Sequence, residues 1–146
     1  MSSLTASDIM VPNPVTIEPS ASVEEAAKIM AARDVSSLVV IDRERRVVGI
    51  VTARDIVDKV VARGLNPSEL KVSDIMAKPV TIVEPNTPIK DVVLLMSSTG
   101  HRHIPVVGEG GILMGIVSEF DILKLVPDLL ESVEVGRGGG RRAEEV

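Results

Sequence analysis

Apolar and polar positions along this chain follow two periods, and those periods occur in the same order twice. Val23, Ala26, Ala27 and Met30 fall at helical spacing, as do Ile89, Val92, Val93 and Met96, so each set marks one face of a helix. Before each helix stands a short extended stretch, PVTI at 14–17 and again at 79–82. After each helix come two strand-like runs. In the first half these are LVVI at 38–41 and VVGIV at 47–51 across the polar turn DRER; in the second, IPVV at 104–107 and ILMGIV at 112–117 across GEGG. Pro105 implies an edge position, or a site without a ladder bond. A last helix begins at GIVTARD (49–55) and at GIVSEFD (115–121), with ends expected before Gly64 and before Pro127. Ser22 with Glu25 predicts the start of the first long helix, and Thr87 followed by Pro88 at the first helical position predicts the start of its counterpart.

The repetition reaches most of the chain. Asp8 and Asp74, Met30 and Met96, Gly49 and Gly115, and Asp55 and Asp121 are each 66 positions apart, whereas the PVTI stretches are 65 apart. SDIM at 7–10 returns at 73–76 as a short turn before each unit. Two units at residues 7–64 and 73–127, a polar connection at 65–72 and a Gly-rich flexible tail at 128–146 are therefore expected. Two units that must bury their apolar faces predict a pseudo-two-fold α/β (α+β) pair.

Composition narrows the chemistry. A length of 146 residues with 45% hydrophobic and 25% charged residues is ordinary globular material. A formal charge of -5 with one Phe and no Trp or Tyr argues against nucleic acid as a partner. The absence of cysteine removes disulfides, thiolate nucleophiles and cysteine zinc sites. No apolar run approaches the roughly 18 residues of a membrane span and the first ten residues do not read as a secretion signal, so the expected location is the cytoplasm, without a membrane partner.

The repeated phrase has two readings. Thr52 with Asp55 and Ser118 with Asp121 fit reciprocal helix caps. The same helix starts also favour phosphate oxygens, and an aspartate on the first turn can accept hydrogen bonds from two ribose hydroxyls. Arg54 is a solvated helix-face charge or a phosphate contact. Thr16 and Thr81 either fill a strand or line a cleft. His101 and His103 alternate in a strand, but two ligands without a third make a poor metal site, and Arg102 with His103 better suits a phosphate. Met10 and Met76 read as core filling. Carboxylates without a nucleophile and base pair give no catalytic motif, so no enzyme and no catalytic cofactor are expected.

The PVTI repeat, SSLVVID and HRHIPVV in the second-strand position, and GIVTARDIV and GIVSEFDIL together resemble the cystathionine β-synthase (CBS) domain, and the tandem pair resembles a Bateman module over about residues 7–127. The resemblance implies β-α-β-β-α units packed sheet to sheet around two clefts. Such modules commonly bind adenosine-containing ligands, among them AMP, ADP, ATP and S-adenosylmethionine, and regulate a partner whose identity the sequence does not give. It also implies that each acid works with strand residues of the opposite repeat. One cleft would join Thr52, Arg54 and Asp55 to Lys78, Val80, Thr81, Arg102 and His103; the other would join Ser118 and Asp121 to Val15, Thr16, Ser36, Ser37 and Leu38. The first collects cations and the second adds the acid Glu119, so phosphate is expected in the first. The alternative is a structural module with degenerate clefts that acts by dimerisation or docking. Ile56, Val57, Val60 and Val61 with Ile122, Leu123, Leu125 and Val126 exceed what one small core needs, and a homodimer is expected.

Overall fold

A computed structural model of the chain describes residues 4–129 and residue 143, so most of the tail expected at 128–146 lies outside the described residues. The first half runs α1 (Ala6–Ile9), β1 (Val11–Pro12), β2 (Thr16–Ile17), α2 (Val23–Arg33), β3 (Ser37–Ile41), β4 (Val47–Thr52) and α3 (Ala53–Ile56), which continues as a π-helical turn over Val57–Val61. The second runs α4 (Val72–Ile75), α5 (Ile89–Thr99), β5 (His103–Val107), β6 (Leu113–Ser118), α6 (Glu119–Leu123) and α7 (Val126–Leu129). The chain is a mixed α+β pair of repeats with one three-stranded sheet in each.

The two repeats exchange their leading turns. β1 belongs by sequence to the first repeat but pairs antiparallel with β6, placing Val11 opposite Ile116 and Pro12 opposite Gly115. Reciprocally, Ala77 bridges Ile50 of β4, and its N–H donates to the Ile50 carbonyl at 2.9 Å. The SDIM turns follow their strands. Ala6 N–H donates to Thr87 O at 2.8 Å and its side chain is buried with Val92, Ile104 and Val117. Val72 N–H donates to Ala21 O at 2.8 Å, and Val72 and Ile75 are buried with Val23, Leu38 and Val51. Each repeat's core is thus completed by the other's SDIM segment.

Alternation along the strands buries both faces of each sheet. Leu38, Val40 and Val51 join the first helix-side cluster and Ile104, Val106 and Val117 the second. Their neighbours Val39, Ile50, Pro105, Val107 and Leu113 point the other way and are buried as well.

The copies differ beside Pro105. In the first repeat β2 lies parallel to β3, with Thr16 opposite Val39 and Ile17 opposite Val40, and Val39 N–H donates to Val15 O at 3.2 Å. The counterpart of Val39 is Pro105, which has no N–H to offer the Thr81 carbonyl. The second ladder accordingly shrinks to one bridge, Val83 to Val106. Register also settles which residues correspond. Ile17 and Val83 are the buried pair, at 7% and 6% exposure, while Ile82 is 43% exposed. The literal PVTI match at 79–82 is therefore one residue out of step, and the offset of 66 holds throughout.

Helix ends show further departures. Ser22 caps α2 as expected, its hydroxyl accepting from Glu25 N–H at 3.0 Å. Pro88, however, precedes α5 instead of opening it, and Thr87 Oγ1 accepts from Glu84 N–H at 3.1 Å. α6 stops at Leu123, short of the expected end, and Pro127 falls in the first turn of α7, where a missing N–H costs nothing. The expected surplus of aliphatic surface is also redistributed. Val60 is fully buried in the first core, whereas Val57, Val61 and Leu123 are exposed and α5 adds Val93 and Leu94.

Candidate functional site

Two cavities open between the repeats, one beside the start of α3 and one beside the start of α6. Both helix starts are made by the repeated phrase. Asp55 Oδ2 accepts from Thr52 N–H at 2.9 Å and from Thr52 Oγ1 at 3.1 Å, and Thr52 Oγ1 accepts from Asp55 N–H at 3.2 Å. Asp121 Oδ2 accepts from Ser118 N–H at 2.8 Å and from Ser118 Oγ at 2.9 Å, with Asp121 N–H returning to Ser118 Oγ at 3.2 Å. The capping reading therefore holds for one oxygen of each carboxylate. The other oxygen faces a lysine. Asp55 Oδ1 lies 3.2 Å from Lys59 Nζ, and Asp121 Oδ1 lies 3.7 Å from Lys124 Nζ.

The first cavity has a volume of about 600 Å³. Its first-repeat wall carries Ile50, Thr52, Ala53, Arg54, Asp55 and Lys59, and its second-repeat wall carries Ala77, Thr81 and the run Gly100 to His103. Asp55 thus shares a cavity with strand residues of the opposite repeat. Thr81, freed from the ladder by Pro105, holds His101: its hydroxyl lies 3.0 Å from His101 Nδ1. Lys59 is anchored twice, by Asp55 and by donation to the Ile75 carbonyl at 2.8 Å, which ties the cavity floor to the exchanged turn. Arg54 pairs with Asp58 at 2.8 Å on the outer rim. Lys78 and Val80 do not line this cavity.

The second cavity, about 580 Å³, is walled by Val11, Asn13, Pro14 and Val15 on one side and by Ile116, Ser118, Glu119, Phe120 and Asp121 on the other. Asp34, Val35, Ser36 and Ser37 close one end, with Arg102, His103 and Lys124. Thr16 lies outside the lining, and Leu38 is fully buried in the first core, its side chain turned away. Phe120 is 65% exposed with Lys124 Nζ 4.7 Å from its ring centre, so an aromatic face stands at this mouth.

The charges of the two linings differ in sign. Arg54, Lys59 and Arg102 face one carboxylate, Asp55, in the first cavity. Asp34, Glu119 and Asp121 face Arg102 and Lys124 in the second. His103 sits between them, its Nε2 3.2 Å from Ser36 Oγ. Burial pushes its imidazole below the ordinary histidine value, with Asp121 and Glu119 pulling upward and Arg102 downward. Burial thus disfavours the imidazolium, and beside Arg102 the His103 ring offers a hydrogen bond.

A serine bonded to a histidine is also the start of a nucleophilic pair. The third member is not in place. Among the described residues no carboxylate bonds the other His103 nitrogen, because Asp121 is held by Ser118 and Lys124. Nor does any group of three or more acids and histidines among the described residues come together to hold a metal ion. Among the same residues no helix is long and apolar enough to cross a membrane. Sequence reasoning missed Lys59, although its place four residues after Asp55 is a helical ion-pair spacing.

The model of the CBS domain matches residues 6–62 and 72–128, and this chain belongs to that family as a tandem pair. It is similar to an uncharacterized protein of Methanopyrus kandleri, 35% identical over 134 residues, which cover 92% of this chain and 68% of the relative. Among solved structures it resembles a CBS domain pair in complex with 5′-methylthioadenosine and S-adenosyl-L-methionine, with a TM-score of 0.80, 28% identity, and 88% of this chain and 99% of that one covered. It also resembles CBSX2 in complex with AMP, with a TM-score of 0.73, 27% identity, and 86% and 97% covered. A hexameric CBS-CP12 protein from bloom-forming cyanobacteria matches with a TM-score of 0.79, 39% identity, and 92% and 78% covered.

Proposed function

We propose that this chain is a regulatory module that binds adenosine-containing ligands in the two clefts between its repeats and changes conformation or assembly in response. The observation that carries the reading is the first cavity, where Asp55 of one repeat faces Thr81 and the His101 to His103 run of the other. Aliphatic side chains of Ile50, Ala53 and Ala77 supply flat apolar surface for a purine, and Asp55 supplies a carboxylate for the ribose diol. With three cations lining it, this cleft suits a phosphorylated nucleotide such as AMP, ADP or ATP. The second cleft, with three carboxylates and the exposed Phe120 ring, suits an adenosyl ligand of little negative charge, S-adenosylmethionine included. Two solved relatives bound to such ligands support the assignment. Thermal unfolding with a panel of these ligands tests it. A ligand at about 100 times its dissociation constant adds roughly 2.7 kcal/mol to stability, and no shift with any of them contradicts the reading.

A second reading draws on a separate observation. Val93 and Leu94 of α5, Val57 and Val61 of the π-helical turn, and Leu123 of α6 are exposed apolar side chains on helices. They fit a self-associating surface, and a homodimer of modules is the assembly we assign. If the clefts prove empty under every adenosyl ligand, docking through this surface becomes the primary activity.

A further inference from the structure

Three residues, Ser36, Arg102 and His103, line both clefts. Ser36 precedes β3 of the first repeat; at the corresponding place in the second, Arg102 precedes β5 and His103 opens it. The Ser36 to His103 hydrogen bond, 3.2 Å long, joins the repeats and forms a septum one side chain thick between the cavities. Arg102 is loosely held: its side chain is 79% exposed and its Nε lies 3.5 Å from Glu119 Oε2, an acid of the second cleft.

We propose that the two clefts draw on this one set of donors, so that a phosphate bound in the first cleft lowers the affinity of the second for another phosphate-bearing ligand but not for an uncharged nucleoside. The inference rests on the adenosyl-binding reading above. A guanidinium grips a phosphate through a planar fork that points one way at a time. When Arg102 turns to the first cleft, the second keeps Glu119, Asp121 and Asp34 against Lys124 alone, a field hostile to an anion. Two phosphates on either side of the septum also repel each other. An uncharged nucleoside uses neither the fork nor the field and is indifferent to the first occupant.

Isothermal titration calorimetry with AMP and with adenosine reads this directly. Wild type is expected to bind AMP in two unequal steps, the second about tenfold or more weaker, within the usual range of site coupling. Arg54→Glu changes an exposed side chain that lines only the first cleft, so it weakens AMP there while breaking no more than the exposed ion pair with Asp58. The released donors should then raise AMP affinity at the second cleft about fivefold above the wild-type second step. With AMP held at a concentration that fills only the first cleft, adenosine should bind the second as tightly as it does in the free protein. Two equal AMP steps in wild type, a second-cleft affinity in Arg54→Glu no better than the wild-type second step, or a tenfold loss of adenosine binding under AMP each overturn donor sharing while leaving the adenosyl reading intact. No binding of AMP or of any adenosyl ligand overturns that reading and the inference with it.

Discussion

Met76 fills the space that a side chain at Gly49 would need: a Cβ built on Gly49 would stand 2.5 Å from Met76 Sδ and 3.0 Å from its Cγ, with the Ala77 carbonyl oxygen at 3.1 Å. The second copy repeats the relationship, since a Cβ on Gly115 would meet Met10 Sδ at 2.5 Å and the Val11 carbonyl oxygen at 2.9 Å. The glycine of each repeated phrase is where the other repeat's SDIM segment docks against the sheet. Gly49→Ala should therefore cost about 1–3 kcal/mol in urea unfolding, as overpacking does. Met76→Ala alone should also destabilise, and the double variant should lose less than the sum of the two. Additive losses would show that the contact is not the reason for the glycine.

This exchange was not legible in the sequence, and the reason is physical. Helical and strand periods report which face of an element is buried, but not which repeat buries it, and SDIM at 7–10 carries the same apolar positions whether it packs at home or across. Strands β3 to β6 were legible because β-branched runs flanked by polar turns occur twice in the same order. The second PVTI misled because identical letters need not share a register. Burial of Val83 instead of Ile82, and the donor that Pro105 lacks, fix the pairing. In the site, Asp55, Asp121 and their opposite-repeat neighbours followed from the family resemblance, and the spacing of Lys59 from Asp55 was there to be read, whereas Asp34 and the double membership of Ser36, Arg102 and His103 needed three dimensions.

His103 should give stability a measurable pH dependence. Its folded-state value lies below the ordinary one because burial disfavours the imidazolium. As pH falls through the unfolded value near ~6.5, the unfolded chain takes up a proton that the folded chain refuses, so stability present above that pH is lost on acidification until the folded value is reached. Melting temperature should fall between pH 7.5 and pH 5.5 in wild type and fall less in His103→Gln. Parallel profiles would remove His103 as the cause.

The caps and the ligand role of the two acids separate in ligand-free protein. Thr52→Ala and Ser118→Ala each remove a hydroxyl that accepts from the N–H three residues on, and each should cost about 1 kcal/mol of stability without ligand. Asp55→Ala should in addition weaken AMP binding at least tenfold, while Asp121→Ala leaves most of it, because the cations line the cleft of Asp55. Equal losses in calorimetry would contradict the difference between the clefts.

Assembly is open to light scattering. At micromolar concentration the mass should be that of two chains, and Leu94→Glu, which puts a charge on the exposed face of α5, should return the monomer without unfolding it. A monomeric wild type would remove the exposed helix faces as a self-association surface.

The claim that adenosyl ligands enter the clefts between the repeats is tested most directly by titrating AMP into isotope-labelled protein and following backbone amide resonances. The account predicts saturable shifts concentrated at Thr52 to Asp55, Ala77, Thr81 and Gly100 to His103, the two walls of the first cleft. Shifts confined to the outer face of α5, or none at saturating nucleotide, would contradict it.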